Sequence, residues 1–546
     1  MKHKIYYLLI LALLFSCKKE IKKENLSPAP ASNEKQDAKV IFSKILAIAL
    51  EKEPNLRLFI KNEALKQFDR DNDVLFQMIK DEKVTTDQTF HQVISKYAKS
   101  KEKLDSAINS LPTLTIMVPE LPNFTPNNWK TESEVPQVAI SPENKNFKDI
   151  DLYNSKGELT KIAYGAIPNF PVVVVKENER VNVSVNNIDK SPISATLLRN
   201  STESNQSSFL SKDNMKFIFS NEAFNGMKTS SFNKVNMSSS AKLSLTNDNK
   251  ISRTVNVNLT NEPNSIDPSV IEAFNINLDW HRDYIYYGLN PNLGINKGKF
   301  NNRMIEHIVS IRMKDGNYNR ISDQTQDPTV SEQWVQPRPE RGGYVTNWTD
   351  GYFDIRISIL INAKNGAGTQ LNKVISAKGS DLYDIKYRTE GIPGRSGSTQ
   401  LRFDGLTPKD YIINEPIAAW DLQNYGAAWK FIVSEYDPSE EIITTYNESS
   451  KFATNFNYEL GFEEKVKVGY KFGISLETTS SSTYQYKTTR GSDELGEGIL
   501  EFGSPIILKK EQYTYSGRNG TVIGYNYITN EVSCGTIYLA IEPRKI

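Results

Sequence analysis

The chain has 546 residues, with 66 basic against 65 acidic side chains and a formal net charge of +1. A charge so near zero excludes the basic excess of a nucleic-acid-binding protein, and two cysteines exclude a disulfide framework. Tyrosine and phenylalanine number 26 and 24 and fall largely in alternating segments, which favours β-structure.

At the N-terminus, Lys2, His3 and Lys4 precede an apolar run from Ile5 to Phe15 that ends at Ser16-Cys17. This is the grammar of a secretory signal, and the run is shorter than the roughly 20 apolar residues a permanent span needs. Its ending, Leu14-Phe15-Ser16-Cys17, resembles the lipobox of bacterial lipoproteins. The resemblance implies that residues 1–16 are a signal peptide and that Cys17 is acylated and becomes the first mature residue. It also implies a lipid anchor on the periplasmic face or the cell surface of the outer membrane. Cys534 then has no intramolecular partner, and its place in an alternating apolar stretch reads as a buried, inert thiol. Residues 17–36, rich in Lys, Glu, Ser, Pro and Asn without apolar periodicity, read as a flexible tether.

A helical module is predicted over 37–111. Asp37 is placed as an N-cap before Ile41, Phe42, Ile45, Leu46, Ile48 and Ala49 at helical spacing. Pro54 opens a second helix through Leu56, Ile60 and Ala64. Val74, Leu75, Met78 and Ile79 suggest a third. Phe90, Val93, Ile94 and Tyr97 suggest a fourth, capped by Thr85-Thr86-Asp87-Gln88. Leu111-Pro112 is expected to close this bundle as an independently compact unit. Within it, Asp69, Asp71 and Asp73 alternate like the first half of an EF-hand loop. Val74 stands where that loop needs Gly and Lys80 where it needs a bidentate Glu. Helix capping and solvation are therefore the expected roles, and no metal ligand is assigned.

From Thr113 the period changes. Phe170-Pro171 and four consecutive valines, Val172 to Val175, followed by the charged turn Lys176-Glu177-Asn178-Glu179-Arg180, read as a buried strand. With Leu152-Tyr153-Asn154-Ser155-Lys156-Gly157, this stretch resembles segments of uncharacterised lipoproteins of Bacteroidota. That resemblance spans the lipobox, the helical module and this strand region, and it implies export without an assigned activity. Residues 112–264 are expected to be a β-containing region with long polar loops. The Ser- and Asn-rich part from about Val183 to Asn264 regains alternation at Val255, Val257 and Leu259.

Residues 265–546 hold the strongest strand signals. Phe353, Ile355, Ile357, Ile359 and Ile361 alternate after Asp350-Gly351, and Trp429, Phe431 and Val433 before Asp437-Pro438. Asn519-Gly520 marks a hairpin between Tyr513-Thr514-Tyr515 and Val522 to Ile528. Phe456 to Phe462 and Val466 to Leu476 form two amphipathic strands about Glu463-Glu464. A sandwich hairpin is the preferred reading and a membrane-inserting β-pore hairpin the alternative, distinguished by whether Tyr470→Asp and Ile474→Asp destabilise the fold. The fold class is α+β, predominantly β, with a small N-terminal helical module followed by an antiparallel β-sandwich or barrel-like domain.

No catalytic constellation is legible. His91, His281 and His307 stand outside any His-Glu-x-x-His pattern. His281 lies in Trp280-His281-Arg282-Asp283-Tyr284, where a carboxylate could orient an imidazole, but without companion ligands a structural role is preferred. Gly391 to Gly397 lacks the Walker spacing and reads as a surface loop, with Arg395 as a binding candidate. Trp280, His281 and Arg395 are thus the binding candidates, and no cofactor or catalytic residue is assigned. The expectation is a binding lipoprotein for a glycan, peptide or protein partner. A hydrolase with dispersed carboxylates is the alternative.

Overall fold

The computed structural model describes residues 32–142, 149–163, 166–185, 215–229, 252–257, 266–276, 281–289, 300–315, 348, 352–361, 369–391, 399–421, 425–426, 428–436, 441–453, 476–489, 494–517 and 520–546. The predominantly β, α+β class holds: a set of N-terminal helices precedes several sheets in which antiparallel pairing dominates.

The first helix, Ser32–Lys52, begins before the expected Asp37 and buries Ala38, Phe42, Leu46, Ala49 and Leu50. Pro54–Lys66 follows, with proline in its first turn, where a missing N–H costs nothing. Val74 and Leu75 are not helical as expected. They lie in the strand Asp73–Leu75, which pairs antiparallel with Leu114–Met117. Only Phe76–Ile79 is helical there, because ladder pairing with a distant strand outweighs a local helical period that was short to begin with. The cap of Phe90–Ser95 is also displaced. Thr89 accepts from the backbone N–H of Gln92, and the Gln92 side chain accepts from the Thr89 N–H, closing a capping box four residues beyond the expected one. A further helix, Lys101–Ser110, is capped by Ser100 and buries Leu104, Ala107 and Ile108.

The helices share their core with a six-stranded sheet. Its order is Asp73–Leu75, Leu114–Met117, Val172–Glu177, Gln137–Ile140, Asp149–Tyr153, Leu159–Ala163, with one parallel pair between Gln137–Ile140 and Val172–Glu177. Val172 to Val175 are all fully buried, as a strand covered on both faces requires. Ser32–Lys52 packs on the three strands that begin at Gln137, Asp149 and Val172. The positive φ of Gly157, +73°, belongs to the turn beneath this helix, where a Cβ would stand 3.1 Å from Ile48 Cδ1. One hydrophobic cluster runs from Ala38 through Leu111 to Val175 and includes Trp348 and Leu401. Leu111-Pro112 is therefore a change of element inside one core.

The second core lies between two four-stranded antiparallel sheets. One runs Tyr411–Pro416, Met304–Met313, Ile537–Lys545, Val532–Cys534; the other Thr369–Ala377, Phe353–Ile361, Ala428–Glu435, Glu494–Glu501. Ile355, Ile357, Ile359, Trp429, Phe431 and Val433 are buried in it. The four tryptophans among the described residues, Trp129, Trp348, Trp420 and Trp429, are core residues; Trp420 stacks on Phe502 at 5.0 Å. Ser252–Val257 joins the hairpin Ile507–Gly517 and Gly520–Asn530, whose last pair is Gly517 with Gly520. Ala166–Pro168 pairs with Thr399–Pro408 and ties the two halves of the chain together. Glu441–Ala453 pairs with Leu476–Thr489; the segment between them, with Tyr470 and Ile474, lies outside the described residues. Among the described residues no helix is long and apolar enough to cross a membrane.

Candidate functional site

Of the residues singled out by sequence, Cys17, Trp280 and Arg395 lie outside the described residues. His281 opens the short helix His281–Tyr287 and is 1% exposed. Its Nδ1 accepts the backbone N–H groups of Ile506 and Ile507 at 3.0 and 3.2 Å, and its ring meets Phe274 edge-on. A nitrogen engaged by two backbone donors is an anchor for the chain at Ile506.

The structure instead brings charged groups together at the seam between the two cores. The loop after Pro54–Lys66 turns twice through left-handed backbone, at Gln67 and Arg70, so that Asp69, Asp71 and Asp73 all point inward. They are 0%, 2% and 0% exposed, which corrects the expectation of solvated capping carboxylates. A buried carboxylate needs donors or a counter-charge, and here both come from the charged turn after the four valines. Asn178 Nδ2 donates to Asp69 Oδ2 at 2.7 Å and to Asp73 Oδ2 at 3.2 Å. Lys176 Nζ lies 3.2 Å from Asp73 Oδ2 and 2.9 Å from Glu179 Oε1. Arg180 donates to the Asp69 carbonyl and to Asp354 Oδ1, both at 3.1 Å. Asp354 is the second residue of the second core's strand Phe353–Ile361 and also accepts from Ser376 Oγ.

Burial dominates the electrostatics. It pushes Asp69 and Asp354 up to about 6, each drawn back by Arg180, and Asp73 well above the ordinary carboxylate range against the pull of Lys176. Burial works against the Lys176 ammonium too, but Asp73 and Glu179 outweigh it and raise its pKa.

Asp71 also forms part of the wall of a cleft of about 290 Å³. Its lining draws on both cores, with Met117, Trp348 and Tyr387 packed in the first and Tyr383 in the second. Glu120 pairs with the Lys378 ammonium and accepts from Asn72 Nδ2 at 3.2 Å. That ammonium also stands 5.4 Å from the centre of the Tyr352 ring, within cation–π range. Lys409 approaches Asp384 at 3.7 Å. The buried hydroxyl of Tyr352 has no hydrogen-bond partner, and burial raises its pKa well above the ordinary value. Trp348 donates its indole N–H to the Ala166 carbonyl at 3.3 Å and, 2% exposed, backs the wall of the cleft.

The parts of the site are remote in sequence, so no local pattern marks it. The signals were two charged runs, Asp69 to Asp73 and Lys176 to Arg180, whose meeting depends on the pairing of Leu114–Met117 with both Asp73–Leu75 and Val172–Glu177. No family model, curated protein or solved structure matches the chain.

Proposed function

We propose that this chain is a lipid-anchored binding protein: Cys17 tethers it to a membrane, and the cleft at the seam takes a glycan or peptide segment. The supporting observation is the lining of the cleft. The half-buried rings of Tyr352 and Tyr387, backed by the buried Trp348 and Tyr383, border charged groups that pair with one another, Lys378 with Glu120 and Lys409 with Asp384. Aromatic rings stack on sugar CH groups or apolar side chains, and a polar ligand exchanges hydrogen bonds with exposed ion pairs at small net cost.

The purified chain is expected to bind members of a glycan or peptide array. Tyr387→Ala and Lys378→Met should each weaken that binding by about tenfold, a typical loss for one contact, with little change in melting temperature. Equal binding by wild type and both variants would place the ligand elsewhere, and cleavage of the bound ligand would make the protein a hydrolase. For the anchor, Cys17→Ala is expected to move the protein from the membrane to the soluble fraction and to remove the acyl mass. Unchanged fractionation and mass would refute lipidation at that residue.

A further inference from the structure

The geometry points to a divalent-cation site of the calcium type formed by Asp71, Asp73 and Glu179. Each offers a carboxylate oxygen, and the three oxygens lie within 4.8 Å of one another. Calcium holds its oxygens at about 2.3–2.6 Å, so ligands on opposite sides of the ion are about 4.6–5.2 Å apart. The three carboxylates therefore fit one coordination shell. Calcium's tolerance of irregular shells suits ligands drawn from a loop and a distant turn better than the near-ideal octahedron magnesium demands.

A second observation is independent of that spacing. Asp71 Oδ2 and Asp73 Oδ1 are buried and have no hydrogen-bond partner. The other oxygen of each is already engaged: Asp71 Oδ1 by the Asn72 N–H at 2.6 Å, and Asp73 Oδ2 by Lys176 and Asn178. Buried carboxylate oxygens without donors are costly, and a cation satisfies both at once.

Val74 and Lys80 keep the loop from being an EF-hand by itself. The twelfth-position carboxylate that the loop lacks is supplied instead by Glu179, from the turn after Val172–Glu177. Asp71 lines the cleft, which gives the ion a path from solvent. Lys176 is the competitor, since its ammonium already holds Asp73 Oδ2 and Glu179. None of this depends on what fills the cleft.

The test is calorimetric titration of the chelator-treated full chain with calcium chloride, with melting temperature as a second readout. One ion per chain is expected, with a Kd of about 0.1–1 mM, the range of calcium sites in extracellular modules, and a rise in melting temperature that equimolar magnesium does not reproduce. Asp71→Asn should weaken binding by at least about tenfold, as loss of a charged ligand does. It keeps the oxygen that accepts from Asn72. Glu179→Gln, on a separate and partly exposed element, should do the same and covers the case in which Asp71→Asn fails to fold. Absence of a calcium-dependent heat or melting shift in the wild type up to about 10 mM, ten times the weakest affinity of that class, overturns the proposal and leaves Lys176 as the cluster's own counter-ion. So does binding that both variants retain in full.

Discussion

Arg180→Met is expected to destabilise the protein by about 3–5 kcal/mol, the loss that follows when one partner of a buried ion pair is removed. Arg180 is 1% exposed and joins the two cores. One arm of its guanidinium donates to the Asp69 carbonyl and another to Asp354 Oδ1, while its plane covers the rings of Phe224 at 4.9 Å and Tyr352 at 5.4 Å. Methionine preserves much of the apolar stem and none of the charge. The carboxylate of Asp354 would keep the Ser376 hydroxyl and lose its counter-charge. Asp354→Asn in the same chain should recover most of the loss, because the uncompensated charge goes with it. Chemical denaturation of the two single variants and the double variant measures the coupling directly. If the double variant is as unstable as Arg180→Met alone, the guanidinium acts through ring packing and the Asp69 carbonyl, and the ion pair contributes little.

Legibility in the sequence followed the distance over which each element is determined. Phe353 to Ile361 and Trp429 to Val433 were readable because strand alternation is local and their turns carry Asp-Gly and Asp-Pro. Gly517 and Gly520 close the expected hairpin for the same reason. Thr89 and Gln92 have the capping-box spacing and make the cap, but Thr85 and Gln88, four residues earlier, have the same spacing, so the motif alone does not choose between them. Val74 and Leu75 carry a helical spacing, and nothing local reveals their strand partners some forty positions away at Ile116 and Thr115. The candidate site was the least legible of all. Asp69, Asp71 and Asp73 are contiguous in sequence, whereas Lys176, Asn178, Glu179 and Arg180 reach them only after sheet assembly. Burial that inverts the behaviour of a carboxylate depends on tertiary packing and leaves no periodic trace.

Asp283→Asn is expected to stabilise the protein in a pH-dependent way. Asp283 sits in the helix His281–Tyr287, 4% exposed, with Oδ1 buried and without a hydrogen-bond partner. Burial raises its pKa from the ordinary 3.8 to about 7, against a smaller opposing pull from Arg282. Arg282 makes its hydrogen bonds elsewhere: it grips Glu306 at 2.8 and 3.1 Å and donates to the Ile541 carbonyl. The sign follows from proton counting. Between about 4 and 7 the folded chain retains a proton that the unfolded chain has released, so stability falls as pH rises through that window and levels off above it. At about 1.4 kcal/mol per pH unit, the wild type should lose about 2–3 kcal/mol from this group between pH 5 and pH 8. Asparagine has the same size and never ionises, so the advantage of the variant over the wild type should grow by that amount across the same interval. Denaturation midpoints of both proteins at pH 5, 6, 7 and 8 give the comparison. An advantage that stays constant over the series would mean that Asp283 does not change its charge there, and that its environment supplies a donor able to hold the carboxylate ionised throughout.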